Sequence, residues 1–301
     1  MKKVFFALLY AAGVTRFAAW WNRRRVIFLC YHGVTERTRR GSNDPHGIHV
    51  PRARFEAQLD YLRRRYRVVP LREYLSARRA GLRLPDYSIV LTFDDGFRNF
   101  LTVAAPRLAE RRMPASVFII TNNTAEGGDA NAERRWSPAD DWTYLSWAEL
   151  ETLAREQDIE IGSHTCSHTR LPTLSPEETE REMRDSYDAV RERAGHYCAP
   201  ALSYPKGEYS AVLSRLARRI GYACAVTVDG GANDPRRTDP FALGRTLIGD
   251  EDDRISFAVR VSGVRDWLAR LNSIFASSRD GARDERREEV RLPATEFPKN
   301  F

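Results

Sequence analysis

Short, wholly apolar runs alternate with longer amphipathic stretches along this chain. The runs at 26–31 (VIFLCY), 67–70, 88–93 (SIVLTF), 116–120 (SVFII), 159–163 (IEIGS), 201–204 and 222–228 have the length and content of strands. Between them, helical periodicity marks 52–65, where Phe55, Leu59 and Leu62 share a face, and also 71–80, 100–112, 147–157, 176–194, 208–219 and 254–274. Ser175-Pro176-Glu177-Glu178 opens one helix with a Ser cap, a Pro in its first position and a Glu three residues after the cap. Strands that are apolar on both faces and separated by helices predict a parallel sheet covered on both sides. About seven such units fit a distorted (β/α) barrel of about seven parallel strands. An open doubly wound sheet is the alternative, but no Gly-rich phosphate loop follows any strand.

Charge changes the picture at one end only. The net charge is +7, and residues 1–25 hold Lys2, Lys3, Arg16, Arg23, Arg24 and Arg25 with no acid. The rest is nearly balanced, with no basic stripe of the kind a nucleic-acid-binding body carries, so no nucleic-acid partner is expected. The apolar run Val4–Val14 is too short to span a bilayer. Followed by Phe17 to Trp21 and three arginines, it reads as a helix lying at a membrane surface. A packed helix and a signal-like segment, cleaved near Ala11 and Gly13, are the other readings. Residues 26–275 form the expected main folded domain. The polar stretch 276–301 reads as a disordered tail. Cys30, Cys166, Cys198 and Cys224 show no metal or disulfide spacing; Cys30 and Cys224 sit in apolar runs and are expected to be buried.

Reactive residues recur at the predicted strand ends. His32 follows 26–31, Asp94 and Asp95 follow 88–93, His164 and His168 follow 159–163, and Lys206 follows 201–204. A barrel would gather all of them at one rim. Two adjacent carboxylates leaving an apolar strand are costly unless paired or metal-bound. An H-x-x-x-H pair on a helical turn would put both imidazoles on one side, and two His with a carboxylate make a facial metal site. Alone, Asp94 reads equally as a helix cap, and His164 and His168 as surface residues.

Thr92-Phe93-Asp94-Asp95-Gly96 and Ser163-His164-Thr165-Cys166-Ser167-His168 together resemble the first two motifs of the polysaccharide deacetylases, the NodB-homology or carbohydrate esterase family four proteins. The resemblance runs from about Arg25 to Asn272. It implies the NodB-type barrel, one divalent metal, most commonly Zn²⁺, on Asp95, His164 and His168, and Asp94 as the base that activates water. Leu202-Ser203-Tyr204-Pro205-Lys206-Gly207 resembles the third motif, whose backbone N–H, here that of Lys206, would hold the oxyanion. Tyr204 and Pro205 would line the substrate groove. This segment departs from the family in having Lys206 for Tyr, and Ser203 where many members carry an Arg paired to the catalytic Asp. That leaves open how Asp94 is oriented. No His follows His196, so the usual C-terminal proton donor is missing; Tyr31-His32-Gly33-Val34 resembles the YHxV motif of the exopolysaccharide branch and would make His32 the general acid.

Trp136, Trp142, Tyr144 and Trp147 cluster in an insertion, and Trp142 is expected to stack on sugar; Trp147 equally reads as the start of a helix. His46 and His49 read as loop residues. Asp229 and Arg245 lie in C-terminal segments without an assigned part. The resemblance thus implies removal of N-acetyl groups from N-acetyl-hexosamine units of a polysaccharide or glycan precursor, at a bacterial cell envelope. The basic, apolar residues 1–25 add an expected membrane contact, and no protein partner is inferred. Cleavage of a formyl group or an O-acetyl ester, or a carbohydrate-binding pseudoenzyme, are the alternatives.

Overall fold

The computed structural model describes residues 2–36, 44, 47–124 and 142–264. His46, Trp136 and the 276–301 tail fall outside them, as does the second half of the helix expected over 254–274. In chain order the elements are α1 (Lys2–Ala11), α2 (Val14–Asn22), β1 (Val26–Tyr31), β2 (Gly33–Thr35), β3 (His49–Pro51), α3 (Arg52–Arg65), β4 (Arg67–Val68), α4 (Leu71–Arg79) and β5 (Ser88–Phe93). Then follow α5 (Ala105–Glu110), β6 (Ala115–Ile119), α6 (Trp147–Gln157), β7 (Ile159–Ser163), α7 (Pro176–Ala194) and β8 (Cys198–Ser203). The last are α8 (Ala211–Ile220), β9 (Cys224–Val226), β10 (Ala232–Asn233), β11 (Arg245–Leu247) and α9 (Arg254–Val261).

One curled, mostly parallel sheet runs in the order β10-β1-β5-β6-β7-β8-β9, with β4 on β5 and β11 on β1. Among the described strands of this sheet only β10 is antiparallel. Every residue of β1, β5, β6 and β7 is buried, as expected of strands covered on both faces. The space between β9 and β1 is spanned by the segment entering β11, which bridges Val226 at Leu243 and then pairs with β1 from Phe28↔Arg245 onward. Alternate residues divide the core. Ile27, Leu29, Tyr31, Ile89, Leu91 and Phe93 pack toward α3, α5 and α6. Val26, Phe28, Val90, Phe118, Ala201 and Val226 meet one another inside the curl, where α4 joins them through Leu71, Tyr74 and Leu75. The buried Glu160 of β7 fixes α4 there by accepting from the backbone N–H groups of Leu71 (2.7 Å) and Arg72 (2.9 Å).

Helix boundaries follow local chemistry. Capping boxes, Ser146 with Glu149 and Ser175 with Glu178, open α6 and α7. α8 starts at Ala211 rather than 208, because the Ser210 side chain caps it, and Gly221 in a left-handed conformation ends it. The helix expected over 100–112 is a wide π-turn at Phe100–Ala104 that runs into the short α5. Trp147 is buried as the first residue of α6, the bland alternative for that residue. The four cysteines are free, with Cys30 and Cys224 buried.

Candidate active site

The C-terminal ends of β1, β5, β7 and β8, with the first residue of β11, converge on one cluster of ionisable groups. Asp94 leaves β5 with its N–H donating to Tyr31 O at 2.9 Å, and is 3% exposed. Asp95 follows in a left-handed conformation (φ 70°), and Gly96 does the same. This double turn separates the two carboxylates: Asp94 goes into the curl, while Asp95 faces the histidines.

Asp94 is held on all sides. Arg245, wholly buried, donates to Oδ1 through Nη1 (2.7 Å) and to Oδ2 through Nη2 (2.6 Å). Ser203 Oγ donates to Oδ2 at 3.0 Å, and the Cys30 thiol lies at 3.5 Å. Arg245 is itself fixed by Thr227 O (3.0 Å), Thr92 Oγ (3.1 Å) and Ser203 Oγ (2.9 Å). Such a bidentate, fully satisfied pair is the geometry in which a buried ion pair is tolerated. Burial alone would push the Asp94 carboxyl up, but Arg245, His164 and His32 together hold it well below the usual carboxylate range. Arg245 is a residue the sequence left without a part. It supplies, from β11, the guanidinium whose absence from the 202–207 segment left the orientation of Asp94 open, and Ser203 bonds to both partners.

His164 is 2% exposed and sits with Nδ1 2.7 Å from Ser203 O. A carbonyl can only accept, so Nδ1 carries the proton and Nε2 keeps its lone pair. That Nε2 lies 3.5 Å from Asp95 Oδ1, and His168 Nε2 lies 3.7 Å from the same oxygen. Asp95 Oδ1 is buried with no hydrogen-bond partner. A buried carboxylate oxygen left unsatisfied between two imidazoles is the donor set a divalent cation takes, and the carbonyl behind His164 is the outer partner that orients such a ligand. The three residues therefore fit one metal ion. Burial and the Asp94 charge push the Asp95 carboxyl up to about 7. Burial lowers His164 to about 3 and also lowers His168, where the Lys206 ammonium adds to the effect.

The two histidines are not on a helical turn. His164 continues β7, and its N–H donates to Ile119 O at 2.8 Å. The chain then turns through Thr165 (φ 66°) and returns at His168 (φ 61°). Glu182 on α7 shapes this loop, accepting from Cys166 N (3.0 Å), Ser167 N (2.9 Å) and Ser167 Oγ (2.7 Å). Among the described residues seven non-glycines have positive φ, and Asp95, Thr165, His168 and Lys206 are four of them. Backbone strain is thus concentrated around the site.

His32 follows β1. A ligand atom of each of Cys30, His32 and Asp94 lies within 4.8 Å of the others. Its Nδ1 is buried without a hydrogen bond, and burial lowers the ring to about 4 against the opposing pull of Asp94. Lys206, exposed at the end of β8, takes a left-handed turn (φ 58°), and its charge acts on Asp95. The expectation that Tyr204 contacts sugar needs correction. Its ring is fully buried among Leu202, Leu213 and Phe241, with its hydroxyl donating to Phe241 O at 3.1 Å. Pro205 is buried too, so this segment borders the site with backbone and Lys206 rather than with those two rings.

His49 is not a loop residue. It lies on β3 at 1% exposure, beside Phe97 (5.0 Å) and under the half-buried Trp142 (4.7 Å between centroids). Trp142 meets Phe97 edge-on, and Tyr144 stacks on Phe97 from a segment pinned by Leu145 N to Gly96 O (2.8 Å). Tyr144 is close enough to Asp95 for that charge to raise it further, after burial. The aromatic content of the insertion pointed toward this wall without singling out Tyr144.

Comparison with known proteins agrees with this geometry. The polysaccharide deacetylase family model matches residues 82–225. YxkH of Bacillus subtilis is 24% identical over 242 residues, 80% of this chain and 77% of that protein. The poly-β-1,6-N-acetyl-D-glucosamine N-deacetylase of Escherichia coli K12 is 22% identical over 280 residues; the match takes in 82% of this chain but only 40% of that protein. Among solved structures, the Streptococcus pyogenes deacetylase PplD in complex with acetate superposes with a TM-score of 0.66 at 22% identity, covering 79% of this chain and 98% of that one. IcaB from Ammonifex degensii gives 0.63 at 23% identity, covering 80% and 97%. At these identities the structures establish the fold, a curled, mostly parallel NodB-type sheet. The matched family model and the sequence relatives make this chain similar to the polysaccharide deacetylases.

Proposed function

We propose that this protein is a metal-dependent carbohydrate N-deacetylase acting on N-acetyl-hexosamine units of a polysaccharide. The observation that carries the reading is the division of labour between adjacent carboxylates: Asp94 clamped by Arg245, and Asp95 facing two imidazoles with an unsatisfied oxygen. Asp95, His164 and His168 hold one divalent cation, with Zn²⁺ the favoured ion for two imidazoles and a carboxylate. When bound, it supplies Lewis acidity toward the amide carbonyl and makes water easier to deprotonate.

Asp94 then takes the proton from the attacking water. Arg245 and Ser203 fix its position, so no reorientation precedes the transfer. The Lys206 backbone N–H, presented by its left-handed turn, donates to the developing oxyanion. His32 gives a proton to the departing amine. Its ring stands beside Asp94, so the two proton transfers flank one scissile bond. The YHxV motif around His32 and the E. coli relative together favour the exopolysaccharide branch, with a polymer of N-acetylglucosamine as substrate. Trp142, at the outer edge of the aromatic wall, stacks on a sugar ring of that polymer.

The test is mass spectrometry of N-acetylglucosamine oligomers after incubation with the zinc-loaded wild type and with His32→Ala. Loss of acetyl groups by the wild type is expected. The variant should keep its metal and lose activity on the order of 10²-fold or more. Unchanged turnover would remove His32 from the mechanism. A wild type that binds oligomers but releases only formate or ester-linked acetate, or nothing, would replace the proposed reaction by another acyl transfer or by simple sugar binding.

A further inference from the structure

Exposed large apolar side chains are unevenly distributed. Val4, Phe5, Leu8, Tyr10, Phe17, Trp20 and Trp21 all lie on α1 and α2, whereas only five others are exposed in the rest of the described residues. Trp20 is 48% exposed, Trp21 51% and Leu8 63%. Phe17 lies against both tryptophans, at 5.7 and 6.2 Å between ring centroids. The opposite side of the same helices is built into the domain. Thr15 and Ala18 are buried, and Asn22 donates to Ser262 O (3.3 Å) and Gly263 O (3.2 Å) beyond α9. This pair is therefore a fixed part of the fold with one apolar face turned outward.

Arginines frame that face. Arg16 and Arg24 are exposed on or just after α2, and Arg63, Arg64 and Arg65 are exposed at the end of α3. Arg23 is partly neutralised by Asp86 at 3.3 Å. A cavity of about 520 Å³ lies between the helix pair and α3, lined by Tyr10, Arg16, Tyr61, Arg65, Tyr66 and Tyr87 among others. The guanidiniums of Arg16 and Arg65 in this lining suit an anionic head group. No single described helix is long and apolar enough to cross a bilayer; α1 and α2 reach that length and composition only together, as a pair bent by 73°. Aromatic rings beside arginines on a short amphipathic pair are the pattern of a segment resting in the head-group layer.

We infer that the outward face of α1 and α2, with the arginine–tyrosine cavity beside it, docks this protein on an anionic phospholipid bilayer. The docking end lies opposite the catalytic rim. Arg23 O accepts from Tyr87 N just before β5, and Arg25 leads straight into β1, so α2 ends where these strands begin. The site lies at their other ends, about 20 Å away for a six-residue strand. Resting on the proposed N-deacetylase reading, this placement selects a polymer extending away from the membrane over a sugar held close to its lipid.

The test is sedimentation of the full chain with vesicles of phosphatidylcholine alone or containing about a quarter phosphatidylglycerol. Trp20→Ser/Trp21→Ser and Arg16→Glu/Arg24→Glu are compared with the wild type. Expected are binding to the anionic vesicles only, weakening as salt is added, and at least tenfold weaker binding for each double variant. Circular dichroism checks that each variant is folded; the arginine pair is exposed, so its substitution leaves the core intact. Three results overturn the inference. They are no wild-type binding to anionic vesicles, binding that survives both double variants, or a dimer that those variants break in the absence of any lipid binding. Sedimentation reads no turnover, so a protein inactive on N-acetylated oligomers could still pass, and a protein that fails here could still deacetylate.

Discussion

A guanidinium sealed from water beside a carboxylate is tolerated only when every donor and acceptor is used, and the Arg245–Asp94 pair meets that condition. Removing one partner leaves the other charged and buried. Arg245→Met is expected to destabilise the fold by about 3–5 kcal/mol. In protein that remains folded, kcat should drop on the order of 10²-fold with little change in KM, since the base is mis-set rather than the sugar released. Denaturant unfolding and steady-state kinetics check the two parts. Asp95 allows a second prediction. Its folded pKa, about 7, lies above the ordinary value of 3.8, so the metal-free fold keeps a proton there that the unfolded chain has lost. The stability contributed by this group is present below about pH 4 and lost as pH rises through about 7. A cation displaces that proton. Calorimetry of zinc binding in buffers of different ionisation enthalpy should show close to one proton released at about pH 6 and far less at about pH 8. Equal release at both values would place the bound metal elsewhere.

At the level of elements, the sequence identified what local pattern controls and missed what pairing controls. β1, β5 and β7 were legible because strands covered on both faces are apolar throughout, and α6 and α7 because their caps are written in residues 146–149 and 175–178. The two aspartates and two histidines were legible because they end such strands. The loop carrying the histidines was misjudged as a helical turn. Nothing in the letters SHTCSH reports that Thr165 and His168 take positive φ in a loop that Glu182 holds from α7. Arg245 was illegible for a different reason. It sits on a three-residue strand whose register against Phe28 is a long-range fact, and only that register points its side chain into the curl. His49 was hidden in the same way, by the short pairing of β2 with β3 inside a Gly/Pro-rich stretch.

For the whole molecule, the curl of the sheet brings groups from five strands to one rim, while the N-terminal helices and their arginines occupy the opposite end. The rim brings together Asp94 clamped by Arg245, Asp95 facing two imidazoles, and His32, the groups on which the proposed amide hydrolysis rests. The decisive measurement is acetate release from N-acetylglucosamine oligomers by metal-stripped protein, repeated after Zn²⁺ is restored, with Asp94→Asn alongside. The structure predicts no release without metal, recovery on adding Zn²⁺, and none from the zinc-loaded variant. Acetate release that persists in Asp94→Asn with zinc bound, or no release from the wild type at full zinc occupancy, would contradict it.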